Sequence, residues 1–479
     1  MIEVEGERVT TATMMGGLAN YLGCAEPALR LLISIFLGFP FAIIYRRMLY
    51  KKPPCIQHIY FIVCGLLLGF WNFGWTIGHS AFALCATYLI LFILGGTTLS
   101  VLITFIFNMA YLSYGYWTTT TDDYDIKWTM PHCVLTLRLI GLAFNYSDGH
   151  QDESKLSINQ KKVSLKVLPS FLEVAAFVYF PGSFLVGPQF SIKSYLDYVN
   201  GNLVECGSKD NKPSHTSLEA GINRAIIGCI YLAIYQLGSS YVSDQYMMSD
   251  EFYNENYIKR LLLLGLWGRL HLYKYISCWL LTEGVCMTFG LSYNGKDKNG
   301  IVKWDGCKNV DLWTFENATQ FNHYILSFNM NTNHWCAEYV YKRLKFLGSR
   351  HASQFFTLLF LAVWHGFHSG YYVTFMMEFI IMYFEKDIAP ALLKNNQLQM
   401  TINSFPSNIL VWFVMKLYTL VFMGYSFCPF ILLSYTRYVG VYSSVYWIGH
   451  LVFFSYPLIA PFIKPIIRGK NNSQRLHRD

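Results

Sequence analysis

Charge is scarce in this chain. Of its 479 residues only 14% are Asp, Glu, Lys or Arg, where a soluble globular chain carries about a quarter. The polar stretches are short, the longest being 146–168 and 293–319, so no soluble domain of useful size is left over. The 12 cysteines contain no C-x-x-C pair, and Cys64, Cys85, Cys229, Cys278, Cys286 and Cys428 sit in apolar runs. That pattern supports neither a disulfide framework nor a zinc site. No internal repeat is visible, and no paired, interrupted hydrophobic segments of the kind that mark many transporters. The first seven residues, Met1 to Glu7, include three glutamates and no basic n-region, so a cleaved signal peptide is not expected.

What the chain has instead is apolar length. Hydrophobic residues make up 53% of it and aromatic residues 18%. At roughly 20 residues per crossing, the apolar runs allow about nine to eleven transmembrane helices. Candidate spans lie near 31–45, 59–77, 81–94, 101–116, 133–144, 171–186, 225–242, 261–289, 355–384, 409–433 and 441–463. The expected fold is an all-α, polytopic helix bundle enclosing a catalytic cavity. It forms one domain over 1–479, with a polar N-terminus (1–28) and a basic tail (464–479) assigned to the cytosol. Arg46, Arg47, Lys51 and Lys52 after the first span also read as cytosolic by the positive-inside rule. The net charge of +8 fits that bias, or a landing surface for an anionic headgroup or phosphorylated cosubstrate. No nucleic-acid partner is expected.

Two polar blocks interrupt the apolar pattern. The first is Trp364-His365-Gly366-Phe367-His368-Ser369-Gly370-Tyr371, inside the 355–384 run. An ionisable group at bilayer depth is costly and marks a functional site by default. If the helix continues, His365, His368, Ser369 and Tyr372 share one face, because positions i, i+3, i+4 and i+7 align. That stripe is either a satisfied polar seam in the bundle or a general base held in a cavity, where burial keeps an imidazole neutral and able to accept a proton. A metal site lacks a third ligand, since Glu378 falls off that face. The second block is Ser327-Phe328-Asn329-Met330-Asn331-Thr332-Asn333-His334-Trp335. It reads as a turn-rich cap or as amides that hold a reacting hydroxyl or carbonyl.

Together the two blocks resemble the membrane-bound O-acyltransferase superfamily, and within it the lysophospholipid acyltransferase branch. The W-H-G-x-x-x-G-Y motif of that branch is met by Trp364, His365, Gly366, Gly370 and Tyr371. Its W-N-x-x-T-x-x-W motif is met by Asn329, Thr332 and Trp335, with Phe328 in place of the first tryptophan. Two further blocks are similar: Tyr179-Phe180-Pro181-Gly182 with Gly187-Pro188-Gln189-Phe190-Ser191, and Lys274-Tyr275-Ile276-Ser277-Cys278-Trp279 up to Glu283-Gly284. The likeness runs from about Leu137 to the tail and is greatest to members that favour lysophosphatidylcholine and polyunsaturated acyl chains.

The resemblance implies acyl transfer from acyl-CoA to the free hydroxyl of a lysophospholipid, in the endoplasmic reticulum membrane. His365 is then the general base and Asn329 the group that orients the hydroxyl or stabilises the developing oxyanion. No covalent acyl-enzyme, metal or resident cofactor is implied, acyl-CoA being a cosubstrate. Substrate contacts are expected from Thr332, Trp335, Trp364, His368, Ser369 and Tyr372. Cations for the polyanionic donor are expected from Arg269, Lys274, Lys342, Arg343 and Lys345. The partners are acyl-CoA, lysophospholipid and membrane lipids, with a homodimer among the allowed assemblies. Relatives that acylate neutral alcohols carry an F-Y-x-D-W-W-N motif, from which Phe252-Tyr253-Asn254-Glu255-Asn256 departs after two residues. A protein acceptor and, in a different class, a transporter remain as alternatives.

Overall fold

The computed structural model describes residues 14–121, 125–203 and 215–468. Among these residues the β structure amounts to one isolated bridge, Lys296 with Val302; everything regular is helical. Six stretches are long and apolar enough to cross a membrane: Glu26–Leu49, Pro54–Leu94, Thr98–Thr119, Thr216–Tyr241, Ser407–Leu432 and Ile448–Arg468. The chain is thus an all-α, multi-pass membrane protein. The expected nine to eleven crossings exceed this set because other long helices, such as Thr129–Asp148 and Tyr257–Phe289, carry charged and polar side chains.

Three expected spans are redrawn. The 171–186 run is helical only over Phe171–Val178, about 12 Å at 1.5 Å per residue, against a hydrocarbon core of about 30 Å. The 355–384 run is two helices, not one. The 441–463 run falls across the end of Tyr435–Ser444 and most of Ile448–Arg468. Of the basic tail, 464–468 belongs to that last helix, and 469–479 lies outside the described residues.

The chain divides into two compact units. The first is Met1–Leu232, Tyr275–Asn309 and His334–Val340; the second is Ala233–Lys274, Val310–Asn333 and Tyr341–Asp479.

The first unit is built on α1 (Glu26–Ile44), α2 (Pro54–Phe73), α3 (Gly78–Leu94), α4 (Thr98–Thr119) and α5 (Thr129–Asp148). Local sequence sets the helix starts. Pro27 stands in the first turn of α1, where a missing N–H costs nothing. Thr97 caps α4 by accepting the Ser100 N–H at 3.2 Å. The short α6 (Phe171–Val178) opens with a capping box, Ser170 with Glu173.

After α6 the chain leaves helical geometry while still buried, and such backbone is tolerated at depth only where protein satisfies its carbonyls. Arg138 of α5 does so. Its guanidinium donates to the Phe177, Val178 and Ser183 carbonyls at 3.1, 3.0 and 2.9 Å and lies against the Phe177 and Phe190 rings. Two helices that follow, α7 (His215–Tyr241) and α8 (Tyr257–Phe289), are joined in this unit by a buried ion pair, Arg224 with Glu283 at 2.7 Å.

The second unit contains the histidine block and the asparagine block as far as Asn333. Short helices α9 (Leu312–Glu316) and α10 (Phe321–Ser327) lead into α11 (Met330–Cys336). The longer α12 (Arg350–His365), α13 (Ser369–Leu393), α14 (Ser407–Leu432), α15 (Tyr435–Ser444) and α16 (Ile448–Arg468) follow. Met377 and Ile381 of α13, Tyr425 and Cys428 of α14, Tyr442 of α15 and Phe453 of α16 form its buried core. Asp387 of α13 accepts from Lys464 at 2.9 Å and from Tyr456 at 3.0 Å, both on α16.

Candidate active site

The histidine block is a helix break. α12 ends at His365, and Gly366 follows with φ +130°, a conformation that a side-chain-bearing residue adopts only under strain. His368 is the N-cap position of α13. The stripe expected from continuous helical spacing therefore does not exist. His365 closes one helix, while Ser369 and Tyr372 open the next, so the i, i+4 and i+7 relations fail.

The break is held from the end of α14 and from α15. The Gly370 N–H donates to the Leu433 carbonyl at 2.9 Å, and the Tyr438 hydroxyl donates to Ser369 Oγ at 3.0 Å. The His365 imidazole, half-buried, is ringed by Trp364, Tyr371, Phe375 and Phe430 at centroid distances of 4.7, 5.4, 5.5 and 5.0 Å. Phe375 lies nearly parallel to it and Phe430 edge-on, at 27° and 80°. Aromatic walls fix the ring plane without supplying a counter-charge, which suits an imidazole that accepts a proton.

The asparagine block is also a break. Asn329 has φ +50° between α10 and α11, and asparagine is among the few residues that occupy this region readily. The turn around it is stitched by Asn333, whose amide donates to the Ile325 and Phe328 carbonyls at 2.9 Å each. The Asn333 N–H donates to the Asn329 carbonyl at 3.0 Å. Asn333 thus does the turn chemistry expected of the block. Upstream, the Glu385 carboxylate caps α10 by accepting the Phe321 N–H at 2.9 and 3.1 Å.

Two helices meet both His365 and the segment that leads into the asparagine block. α13 carries Phe375 against His365 and Glu385 against α10. α14 carries Phe430 against His365, while Thr419 donates to the Ala318 carbonyl at 3.1 Å and Lys416 donates to that of Glu316. At 1.5 Å per residue, Glu385 and Thr419 each lie roughly 15 Å along their helices from the side chains that face His365.

The sequence profile of the membrane-bound O-acyltransferase family matches residues 113–428, which contain both blocks. The chain belongs to this family. It is 44% identical to the Mus musculus protein named "Lysophospholipid acyltransferase 5", over 93% of this chain and 91% of that one. The Drosophila melanogaster protein of the same name is 43% identical, over 91% and 87%. A Schizosaccharomyces pombe protein named "Lysophospholipid acyltransferase" is 27% identical, over 96% and 92%.

In this O-acyltransferase the remaining expected site residues fall in different surroundings. Thr332 is buried in the second unit. Trp335 belongs to the first, where its indole packs over Gly141 of α5 and beside Tyr339. Trp364 is buried beside His365, and the His368 ring lies 5.9 Å from Tyr371. Tyr371, expected only as a motif residue, faces His365, and Tyr372 is half-buried on α13. Lys342, Arg343 and Lys345 share one 3-10 turn, 342–347, just before α12. The Lys274 ammonium sits 6.0 Å from the Tyr235 ring. Arg269 is engaged within the second unit, its guanidinium donating to Glu316 at 2.7 Å and to Tyr324 at 3.0 Å.

Sequence reasoning missed Phe375, Phe430, Glu385, Tyr438 and the turn-holding role of Asn333. Only the last left a signal: of the asparagines in the block, Asn333 lies four residues on from Asn329, one helical turn, as a local cap requires.

Proposed function

We propose that this membrane-bound O-acyltransferase moves a fatty acyl group from acyl-CoA to the free sn-2 hydroxyl of a lysophospholipid, lysophosphatidylcholine foremost. The observation that carries this reading is the His365 imidazole, held at a helix break by four aromatic rings inside a complete W-H-G-x-x-x-G-Y motif. It is supported by relatives named as lysophospholipid acyltransferases along nearly the whole chain.

In the proposed reaction the lysophospholipid hydroxyl oxygen attacks the thioester carbonyl carbon while His365 takes the hydroxyl proton. The Asn329 amide donates a hydrogen bond to the oxyanion that forms. Collapse breaks the C–S bond, and the departing CoA sulfur recovers the proton from His365. A positioned base contributes about 10²–10⁴-fold, and a single oxyanion donor about 10²–10³-fold. Lys342, Arg343 and Lys345, clustered on one turn, would meet the phosphates of acyl-CoA, with Lys274 a further cation. Thr332, Trp364, His368, Ser369 and Tyr372 would line the lipid path. The proposed residence is the endoplasmic reticulum membrane, where lysophospholipid and acyl-CoA meet.

The test is direct. Purified protein in lipid nanodiscs receives mixed lysophospholipids and acyl-CoAs, and products are identified by mass. Diacyl phospholipid with release of free CoA is expected. Acylation of a sterol or a protein with no phospholipid product would overturn the reading.

A further inference from the structure

Arg269 carries a charge that is only 12% exposed and not directed at open solvent. Its Nη2 donates to Glu316 Oε2 at 2.7 Å and to the Phe315 carbonyl at 3.4 Å, its Nη1 to the Tyr324 hydroxyl at 3.0 Å, and its Nε to the Tyr273 hydroxyl at 3.3 Å. The guanidinium lies over the Phe315 ring, with Cζ 4.1 Å from the centroid. Phe315 in turn stacks on Phe328, at 5.9 Å and 24°. Arg269, Phe315 and Phe328 therefore form a pile whose last member immediately precedes Asn329.

Phe328 is held by its ring and by its carbonyl. Phe315 fixes its ring, and the Asn333 amide takes its carbonyl at 2.9 Å. The next residue turns through φ +50°, so a small rotation at Phe328 swings the Asn329 side chain. Lys416 from α14 grips the Glu316 carbonyl and reinforces the base of the pile. Such a pile needs arginine. Lysine offers a point charge with neither a flat face for Phe315 nor a fork for Glu316 and Tyr324.

We propose that Arg269 is a positioning residue for Asn329, acting through the Phe315–Phe328 stack, and not a contact for the acyl-CoA phosphates. The proposal rests on the reading in which the Asn329 amide serves the oxyanion. It extends the site to a cation that the motif pattern assigns to the donor, and it explains why an aromatic residue must precede Asn329.

The experiment is a double-mutant cycle on the full-length protein, using Arg269→Lys, Asn329→Ala and the pair. Turnover and KM for acyl-CoA are measured, with binding of a non-hydrolysable acyl-CoA as the check on folding. Arg269→Lys should lower kcat about tenfold or more, as a misplaced oxyanion donor does, with KM for acyl-CoA within about twofold. In the Asn329→Ala background the same change should alter the residual rate by less than about twofold, because coupled residues are not additive. Phe315→Leu, which keeps apolar bulk but removes the flat face, should reproduce this pattern and serves if Arg269→Lys fails to fold. A raised KM at unchanged kcat would make Arg269 a donor-binding cation. Losses that multiply in the double variant would make the pile merely structural, and an unchanged Arg269→Lys enzyme would remove the role altogether; each overturns the proposal. Asn329→Ala alone tests the oxyanion reading separately: native turnover there would fail that reading, whatever Arg269 does.

Discussion

A Cβ placed on Gly370 would lie 1.9 Å from the carbonyl oxygen of Pro429, while the Gly370 N–H donates to the Leu433 carbonyl at 2.9 Å. The first turn of α13 is thus pressed backbone to backbone against the end of α14, and Phe430, which faces His365, lies between those two carbonyls in sequence. Gly370→Ala should destabilise the protein by about 2–3 kcal/mol, the cost of overpacking against atoms that cannot move aside. It should also lower turnover by shifting Phe430. Thermal unfolding and turnover in the same preparation check this; a stable, fully active alanine variant would contradict the packing.

His365→Ala should reduce acyl transfer by about 10²–10⁴-fold, the value of a positioned base, while acyl-CoA binding and stability stay near native. The ring is half-buried among side chains and makes few demands on the backbone. His368→Ala should do much less, because the break in the chain removes His368 from the face that carries His365. Equal losses in the two variants would favour a shared structural role.

Asn329 offers a cleaner separation of backbone from side chain. Asn329→Gly keeps a residue at ease at φ +50° and deletes the amide; Asn329→Ala deletes the amide and adds strain. Both should lose about 10²–10³-fold in turnover, and only the alanine variant should also unfold at lower temperature. An active glycine variant would show that the turn, not the amide, is what the position supplies. By contrast, Asn333→Ala leaves two carbonyls without their donor and should cost stability first, by about 1–3 kcal/mol.

Headgroup choice is tested by competition among equal lysophosphatidylcholine, lysophosphatidylinositol and lysophosphatidylserine with arachidonoyl-CoA as donor. Phosphatidylcholine should dominate. Asp250 and Glu251 make the first turn of the short helix Asp250–Asn254 acidic; a net-negative acceptor would be repelled there, and desolvating its unpaired charge costs several kcal/mol. Fastest acylation of the inositol lipid would refute the charge reasoning and leave the role of His365 standing.

Particular residues show where legibility in the sequence ended. Asn329, Thr332 and His365 could be named from the resemblance because each matches a short contiguous motif of the family. Phe430 could not, since nothing in its own neighbourhood distinguishes it from the other phenylalanines of an apolar helix. Its role comes from the packing of α14 on the start of α13. Arg269 was visible as a charge in an apolar run, and its sign suggested a phosphate; Glu316, Phe315 and Tyr324, all distant in sequence, are what occupy it. The 171–186 run looked like a span because hydropathy does not register that Arg138, more than thirty residues earlier, satisfies the carbonyls of a broken chain.

Scarce charge and long apolar runs by themselves determined an all-α membrane protein, because a bilayer admits only helices or closed barrels, and barrel strands alternate where these runs are continuously apolar. Resemblance to family motifs pointed to which histidine and which asparagine to examine. Where the helices stop was decided by tertiary structure. Gly366 and Asn329 permit a break, but a break at depth persists only where neighbouring helices supply partners, and those partners (Leu433, Tyr438, Glu385, Phe315) are brought in from elsewhere in the chain. The same physical fact settles the face of His365: periodicity assigns a side chain to a stripe only while the helix continues, and here it ends on the histidine itself.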